Sequence, residues 1–449
     1  MKPPMTSKPK GLSGFPEWLP EQQLVFECFV RLIEDQFRLY GFTPLETRSV
    51  EPLEVLLAKG ATDKELYTVS RLADGSDAKA PDLGLHFDLT VPFARYVVQN
   101  RGHLTFPFRR YQIQKSWRGE RPQEGRYREF HQADADVVAD GELPLCHDSE
   151  MVVLLAETLT KLPIFPVTLH VSNRNVLLGF YTALGIADPA AVLRVVDKFD
   201  KIGRERVGAL LGELGLDQKQ IERCLFLAEV RGRSPDVLGS IEAAVPKCEL
   251  LERGLAECRQ LLRDIEGVAE DAVVLNFRIA RGLDYYTGII FEGLMHGFET
   301  FGAVCSGGRY DRLAAEFGAD LPGVGISIGL TRLLGLLFGK GALAASRKTP
   351  TTVLVALDSA AVYPEAFRTA QRLRARGIAS EVFDAPLKYS KQIRYAEQKG
   401  IPFVWFLKGQ SSGGHEVRDI RNGVQEPASP EAWEPPRADR DVTVSRTGG

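Results

Sequence analysis

The feature that most constrains the fold is the stretch from Arg109 to Val138, where two extended runs flank a loop rich in glycine, proline and charge. In its first half Tyr111, Ile113 and Trp117 are separated by Gln112, Gln114 and other residues, the period-two pattern of a β-strand. Residues 119–125 supply the loop, and Tyr127 to Val138 reads as the returning strand. Seven Lys or Arg residues fall between Arg109 and Arg128, against Glu120 and Glu124; further acids arrive on the return strand, at Glu129, Asp134 and Asp136. Such a hairpin offers guanidinium groups to a polyphosphate at one end and carboxylates to an ammonium or imidazole at the other. Arginine suits the first task better than lysine, because its planar fork grips oxygens two at a time. A solvated, salt-bridged hairpin has the same composition, so the stretch sets a local structure and leaves its use open.

With 449 residues the chain has room for two or three cores, since single cores rarely grow past roughly 250–300 residues. Its net charge of −3 restricts any nucleic-acid surface to a local patch. No apolar run approaches the ~20 residues that cross a bilayer. The opening MKPPMTSKPKGLSGF is basic but lacks both an apolar signal core and the Arg-rich amphipathic character of a transit peptide. Six scattered cysteines without a CxxC pair fit free thiols in a reducing compartment and argue against a zinc ribbon. A cytoplasmic protein with no membrane contact and no dedicated metal ligands is expected.

Along the chain, Glu21 to Tyr40 carries one apolar helical face and stops at Gly41. The following FTPLETRSVEPLEVLLAKG reads as extended, with Pro44 and Pro52 confining it to strand edges or ends. Leu66–Val69 and Gly84–Thr90 read as short strands. Asp88, in HFDLTVPFARYV, has two readings: a helix N-cap, or a carboxylate aimed into a pocket to bind an amine. Residues 174–267 turn leucine-, alanine- and charge-rich with helical periodicity, which predicts an all-helical insertion. Strand character returns at 272–276, followed by RGLDYYTG (Arg281–Gly288), SGGRYD (Ser306–Asp311) and the glycine-spaced strand Gly323–Gly329 leading into a helix near Leu330. Arg332 lies in that helix's first turn, where a cation gains nothing from the dipole. GKGALAASRKTPT is a linker by composition. Beyond it, alternating strands and helices predict a small α/β domain with a mostly parallel sheet and basic helices, a candidate RNA-contacting face. The tail after Gly423, rich in proline and charge, is expected to be poorly ordered.

Arginines 118, 126, 281 and 332, beside glycines or at element ends on an antiparallel framework, resemble the signature positions of class II aminoacyl-tRNA synthetases. Within that class RGLDYYTG, SGGRYD and RGERPQEGRYREFHQ (Arg118–Gln132) resemble the histidyl-tRNA synthetase family, over essentially residues 10–425. The resemblance implies an α+β catalytic domain on a mainly antiparallel sheet, in two parts (1–173 and 268–340) around the helical insertion 174–267. A linker (341–351) would join it to an anticodon-binding-like α/β domain (352–449). It implies ATP-dependent ligation of L-histidine to histidine tRNA through an adenylate, by a cytoplasmic homodimer, with Mg2+ accompanying ATP.

The resemblance also assigns roles. Arg118 and Arg281 would hold the α-phosphate from two sides, Arg118 also meeting the histidine carboxylate. Arg126 and Arg332 would reach the outer phosphates and Phe130 would stack on adenine. Asp88, Thr90 and Gln132 would take the α-amino group, with Leu89 beside them in the histidine site, and Asp136 with Tyr285 and Tyr286 would close around the imidazole. Gln123 would touch the tRNA's extra 5′ guanosine. Two features depart from the family pattern: the first motif's proline falls near Arg48 while this chain has Pro52, and Asp136 stands where glutamate is frequent. The alternatives are a non-aminoacylating paralogue, such as the regulatory subunit of ATP phosphoribosyltransferase, or a pure RNA-binding protein. The persistence of both signatures and the appended domain favours the enzyme.

Overall fold

The computed structural model describes residues 10–58, 66–71, 82–280, 286–407 and 414–447. They group into two compact units, one of residues up to 16 and 32–336, the other of residues 17–31 and from 337 onward. Arg281 and Tyr285 lie outside the described residues.

In the larger unit the strands are β1 (Thr43–Pro44), β2 (Val50–Pro52), β3 (Tyr67–Val69), β4 (Leu83–Leu85), β5 (Phe108–Trp117), β6 (Glu129–Val138), β7 (Val167–Asn173), β8 (Arg231–Gly232), β9 (Val273–Asn276), β10 (Ile289–Met295), β11 (Cys305–Tyr310) and β12 (Gly323–Gly329). Nine of them form one sheet in the order β1-β5-β6-β12-β11-β10-β7-β9-β8, and β2, β4 and β3 form a small second sheet. Neighbours in the large sheet run antiparallel except β1 with β5 and β7 with β9. The mainly antiparallel framework expected from the sequence is therefore what forms. Pro44 sits on an edge strand, where its missing N–H breaks no ladder.

Register decides what each face of this sheet presents. Arg110 pairs with Asp136, Asp136 with Gly325, Gly325 with Gly308, Gly308 with Ile290, and Ile290 with Ser172. Because side chains alternate, Gln112, Gln132, Asp134, Asp136, Ser327, Ser306 and Glu292 share one polar face. Their neighbours Tyr111, Ala133, Ala135, Val137, Val324, Ile326, Ile328 and Phe291 are buried on the other. The helix Cys146–Lys161 packs against β7 and β12, and its Asp148 holds Arg309 from the apolar side (2.6 Å).

The sequence-predicted helical insertion is built from helices between Arg174 and Asp264, but it is not all helical: Arg231–Gly232 pairs with Leu275 and Asn276 and adds a strand to the large sheet. Asn173 starts the insertion, its side-chain oxygen accepting from Asn175 N (2.8 Å) and Val176 N (3.3 Å). The segment after Pro52 also departs from the extended expectation, since Leu53–Leu57 is a helix.

In the smaller unit the strands are β13 (Leu343–Ala345), β14 (Val353–Val355), β15 (Ser380–Val382), β16 (Phe403–Phe406), β17 (Glu416–Asp419), β18 (Gln425–Pro427) and β19 (Val444–Arg446). Its main sheet, β15-β14-β16-β17-β18, is parallel over its first three strands and antiparallel over the last two. It is thus a mixed sheet, not the mostly parallel one expected, because the chain after Phe406 returns beside β16. The poorly ordered tail and plain linker are corrected as well: β19 pairs with β13, inside the presumed linker. Trp433 packs its ring on Phe403 and Trp405.

Candidate active site

The loop between β4 and the helix Thr90–Asn100 is clamped carbonyl by carbonyl. Trp117 N donates to His86 O (3.0 Å), Arg118 Nε to Phe87 O (3.0 Å), and Arg110 Nη2 to Leu89 O (3.3 Å). These bonds bring Asp88 to the start of Arg118. Asp88 Oδ1 accepts from Val91 N (3.1 Å), so the capping reading holds for one oxygen. Burial raises the Asp88 carboxyl above its ordinary range, while the Val91 N–H and the Arg118 charge work against that shift. Leu89 is fully buried and Thr90 opens the helix.

Arg118 itself sits just past β5, its guanidinium carbon 5.0 Å from the centre of the Phe130 ring, at cation–π range. Phe130, Gln132, Asp134 and Asp136 follow one another along the same face of β6. Asp136 is held on two sides: Tyr310 Oη donates to its Oδ1 (2.6 Å), and Arg110 Nη2 lies 2.7 Å from its Oδ2 as an ion pair outside good hydrogen-bond angles. Burial pushes the Asp136 carboxyl upward; Arg110 and the Tyr310 hydroxyl oppose it. Arg110 is wholly buried and stacks 4.1 Å over Phe93.

The glycines of the two later motifs make this crowding possible. A Cβ on Gly325 would fall inside the Asp136 carboxylate, and one on Gly308 would stand 2.9 Å from the Tyr286 ring. Tyr286 precedes β10, and with Ile279, Ile290, Glu292 and Ser306 it lines a small cavity. At the hairpin tip Gln123 and Arg126 bond to each other's backbone, and Arg126 pairs with Glu120 (3.2 Å). Arg332 stands 4.9 Å over the Phe301 ring and bonds to the Phe301 carbonyl; that ring also packs on Gly125. Its odd place in the first helical turn is thus matched by a local partner.

Comparison with known proteins decides the family. Residues 14–333 match the histidyl-tRNA synthetase family and residues 351–433 an anticodon-binding domain. The histidine–tRNA ligase of Micrococcus luteus is 46% identical over 98% of this chain and 99% of its own length. The chain belongs to the histidyl-tRNA synthetase family. The crystal structure of a histidyl-tRNA synthetase from Nostoc sp. PCC 7120 superposes with a TM-score of 0.84, at 32% identity, covering 94% of this chain and 96% of that one. An ATP phosphoribosyltransferase regulatory subunit/histidyl-tRNA synthetase from Bacillus halodurans C shares the fold at 22% identity and a TM-score of 0.72, covering 85% and 94%. Fold alone therefore does not separate ligase from regulatory paralogue, whereas the near full-length identities of 46% and 48% are to histidine–tRNA ligases.

Of the residues the family resemblance singles out, the structure gathers Asp88, Leu89, Thr90, Arg118, Phe130, Gln132 and Asp136 around β5 and β6, with Tyr286 on the same face and Gln123, Arg126 and Arg332 nearer the hairpin tip. Sequence reasoning gives no specific role to Arg110, Tyr310, Ser327 or Asp134, although it names Asp134 among the acids of the return strand. Arg110 was counted among the hairpin's phosphate-seeking cations, yet its register opposite Asp136 buries it. Alternation along β6 was the available signal for Asp134, which shares a face with Gln132 and Asp136.

Proposed function

We propose that this chain is a histidine–tRNA ligase. It condenses L-histidine with ATP to histidyl-adenylate, releasing pyrophosphate, and passes the histidyl group to histidine tRNA, releasing AMP. The observation that carries this reading is the meeting of the Asp88 loop, Arg118 and the acidic face of β6 in a chain that matches its ligase relatives from end to end.

The carboxylate of histidine is already a nucleophile, so activation calls for alignment and charge stabilisation and not for a side-chain base. Arg118, tied to Phe87 O and close to Asp88, is suited to bridge the amino-acid carboxylate and the α-phosphate. Arg281 is assigned the opposite side of that phosphate by family resemblance. Phe130 offers its ring to adenine, and Arg126 and Arg332 the outer phosphates. Asp88, Thr90 and Gln132 take the α-amino group; Asp136, Tyr285 and Tyr286 surround the imidazole. ATP enters as its magnesium complex, carried through phosphate oxygens. The smaller unit, with its anticodon-binding match, would hold the tRNA, and Gln123 at the exposed hairpin tip its 5′ end. A cytoplasmic homodimer completes the reading, in keeping with the family.

Histidine-dependent exchange of pyrophosphate into ATP is the test. The wild-type chain should catalyse it, and Arg118→Ala should lower kcat by roughly 10²–10³ with unchanged folding, the cost of one charge-stabilising donor. Arg281→Ala should do the same. Exchange close to wild type in either variant would remove that arginine from the reaction, and absence of exchange in the wild type would favour the regulatory paralogue.

A further inference from the structure

Asp136 Oδ2 lacks a hydrogen bond but is ion-paired with Arg110 (2.7 Å); two other buried acceptors on the β6 face, Gln132 Oε1 and Asp134 Oδ1, have neither a hydrogen bond nor an ion pair. Both residues lean on Ser327 of β12. Gln132 Nε2 donates to Ser327 Oγ (2.8 Å), and the Ser327 hydroxyl hydrogen-bonds the Asp134 carboxyl. One hydroxyl can accept from the amide and donate to the acid, which uses its single proton and leaves the other two acceptors unmatched. Asp136, two residues on, differs: its oxygens are taken by Tyr310 and Arg110. Asp88 lies near enough for its charge to act on Asp134.

A buried carboxylate oxygen left without a donor is costly, and Asp134 is only 2% exposed. Two open acceptors on one face, with the Asp88 carboxylate beside them, fit a donor with several N–H bonds and a positive charge. A primary ammonium has that form; a phosphate, or the single N–H of a neutral imidazole, does not.

We propose that Asp134 binds the α-ammonium group of the amino-acid substrate, together with Gln132 and Asp88, so that the ammonium rests between two carboxylates. This rests on the histidine-activation reading and adds a specificity residue to it. Burial pushes the Asp134 carboxyl up to about 7, helped by the Asp136 and Asp88 charges and opposed by Arg110 from β5 and the Ser327 hydroxyl from β12. Binding an ammonium needs the ionised form, so histidine affinity falls as pH drops through that region.

The experiment is histidine-dependent pyrophosphate exchange by the full chain, with histidinol and deamino-histidine (imidazole-4-propionate) as competing inhibitors. Asp134→Asn should raise the KM for histidine and the Ki for histidinol by roughly 10- to 100-fold, the range for a hydrogen bond to a charged group. The Ki for deamino-histidine and the KM for ATP should not move, and the rise in histidine KM below neutral pH should flatten. Equal weakening of both inhibitors, or of neither, overturns the proposal. If Asp134→Asn does not fold, Ser327→Ala serves, since it frees both acceptors from their shared anchor; it should weaken histidinol alone, and the same contrary results count against it. No exchange by the wild type would instead bring down the ligase reading itself, and this proposal with it.

Discussion

Asp134 and Asp136 stand two residues apart on β6, both buried and both pushed upward by burial, but they differ in what each one neutralises. Asp136 neutralises Arg110, which is wholly buried, so Asp136→Asn strands a guanidinium and should cost about 3–5 kcal/mol of stability. Asp134 has no such counter-ion to itself, and burial raises its carboxyl from 3.8 to about 7. The folded state therefore keeps a proton that the unfolded chain has already released between those two values. By linkage, stability falls as pH rises through this window, and the deficit is complete above about 7. Asp134→Asn, neutral at every pH, should make the ligand-free protein more stable than wild type at pH 8, with the advantage shrinking toward pH 5. Urea unfolding at the two pH values measures it. An Asp134→Asn protein less stable than wild type at pH 8 would show that Asp134 is held as a structural anion and not kept open for a ligand.

At the scale of elements, the insertion depends on one junction. Asn173, the last residue of β7, caps the helix Arg174–Ala183 with its oxygen and donates through its nitrogen to Glu257 of the helix Glu249–Asp264 (2.7 Å). The two helices then touch backbone to backbone: a Cβ on Gly254 would lie 2.5 Å from Val176 N. Asn173→Ala removes a cap and a charged hydrogen bond together and should cost about 1–3 kcal/mol. A double-mutant cycle with Glu257→Ala separates the two, and a coupling near zero would mean that the cap alone acts. The cap was readable in the sequence, since Asn followed by an apolar helical run is a start signal. So were β5, β6 and β12, because alternation and glycine spacing are local properties. The pairing of Arg231–Gly232 with β9 was not, because two residues carry no periodicity. Nor was the burial of Arg110, which follows from the register that sets it opposite Asp136 and from the Phe93 ring packed under it. Charge content along the hairpin showed that a polar face exists; only register showed which charges cancel within it.

At the scale of the whole molecule, the smaller unit is closed by its own C-terminus. Arg347, in the stretch that composition marks as a linker, is buried and chelates carbonyl oxygens far along the chain: Nη1 donates to Asp439 O (2.7 Å) and Nη2 to Arg440 O (3.1 Å). Arg376 Nη1 likewise holds Pro430 O (2.9 Å) and Trp433 O (2.8 Å). A chain ended after Gly423 would lose these acceptors, the Trp433 ring on Trp405, and the β13–β19 pairing. Arg347 would then keep a buried charge with fewer oxygens around it, which is costly. The residues proposed for activation and the anticodon-binding match lie in different units, so damage should divide the same way. The shortened chain should show a new, earlier melting transition and charge tRNA poorly, while histidine-dependent pyrophosphate exchange continues at near the full-length rate. Calorimetry with parallel exchange and aminoacylation assays checks each arm. A shortened chain that melts as the full-length protein does would mean that Arg347 and Trp433 find other partners and that the tail does not close the unit; loss of exchange along with charging would mean that activation draws on the smaller unit as well.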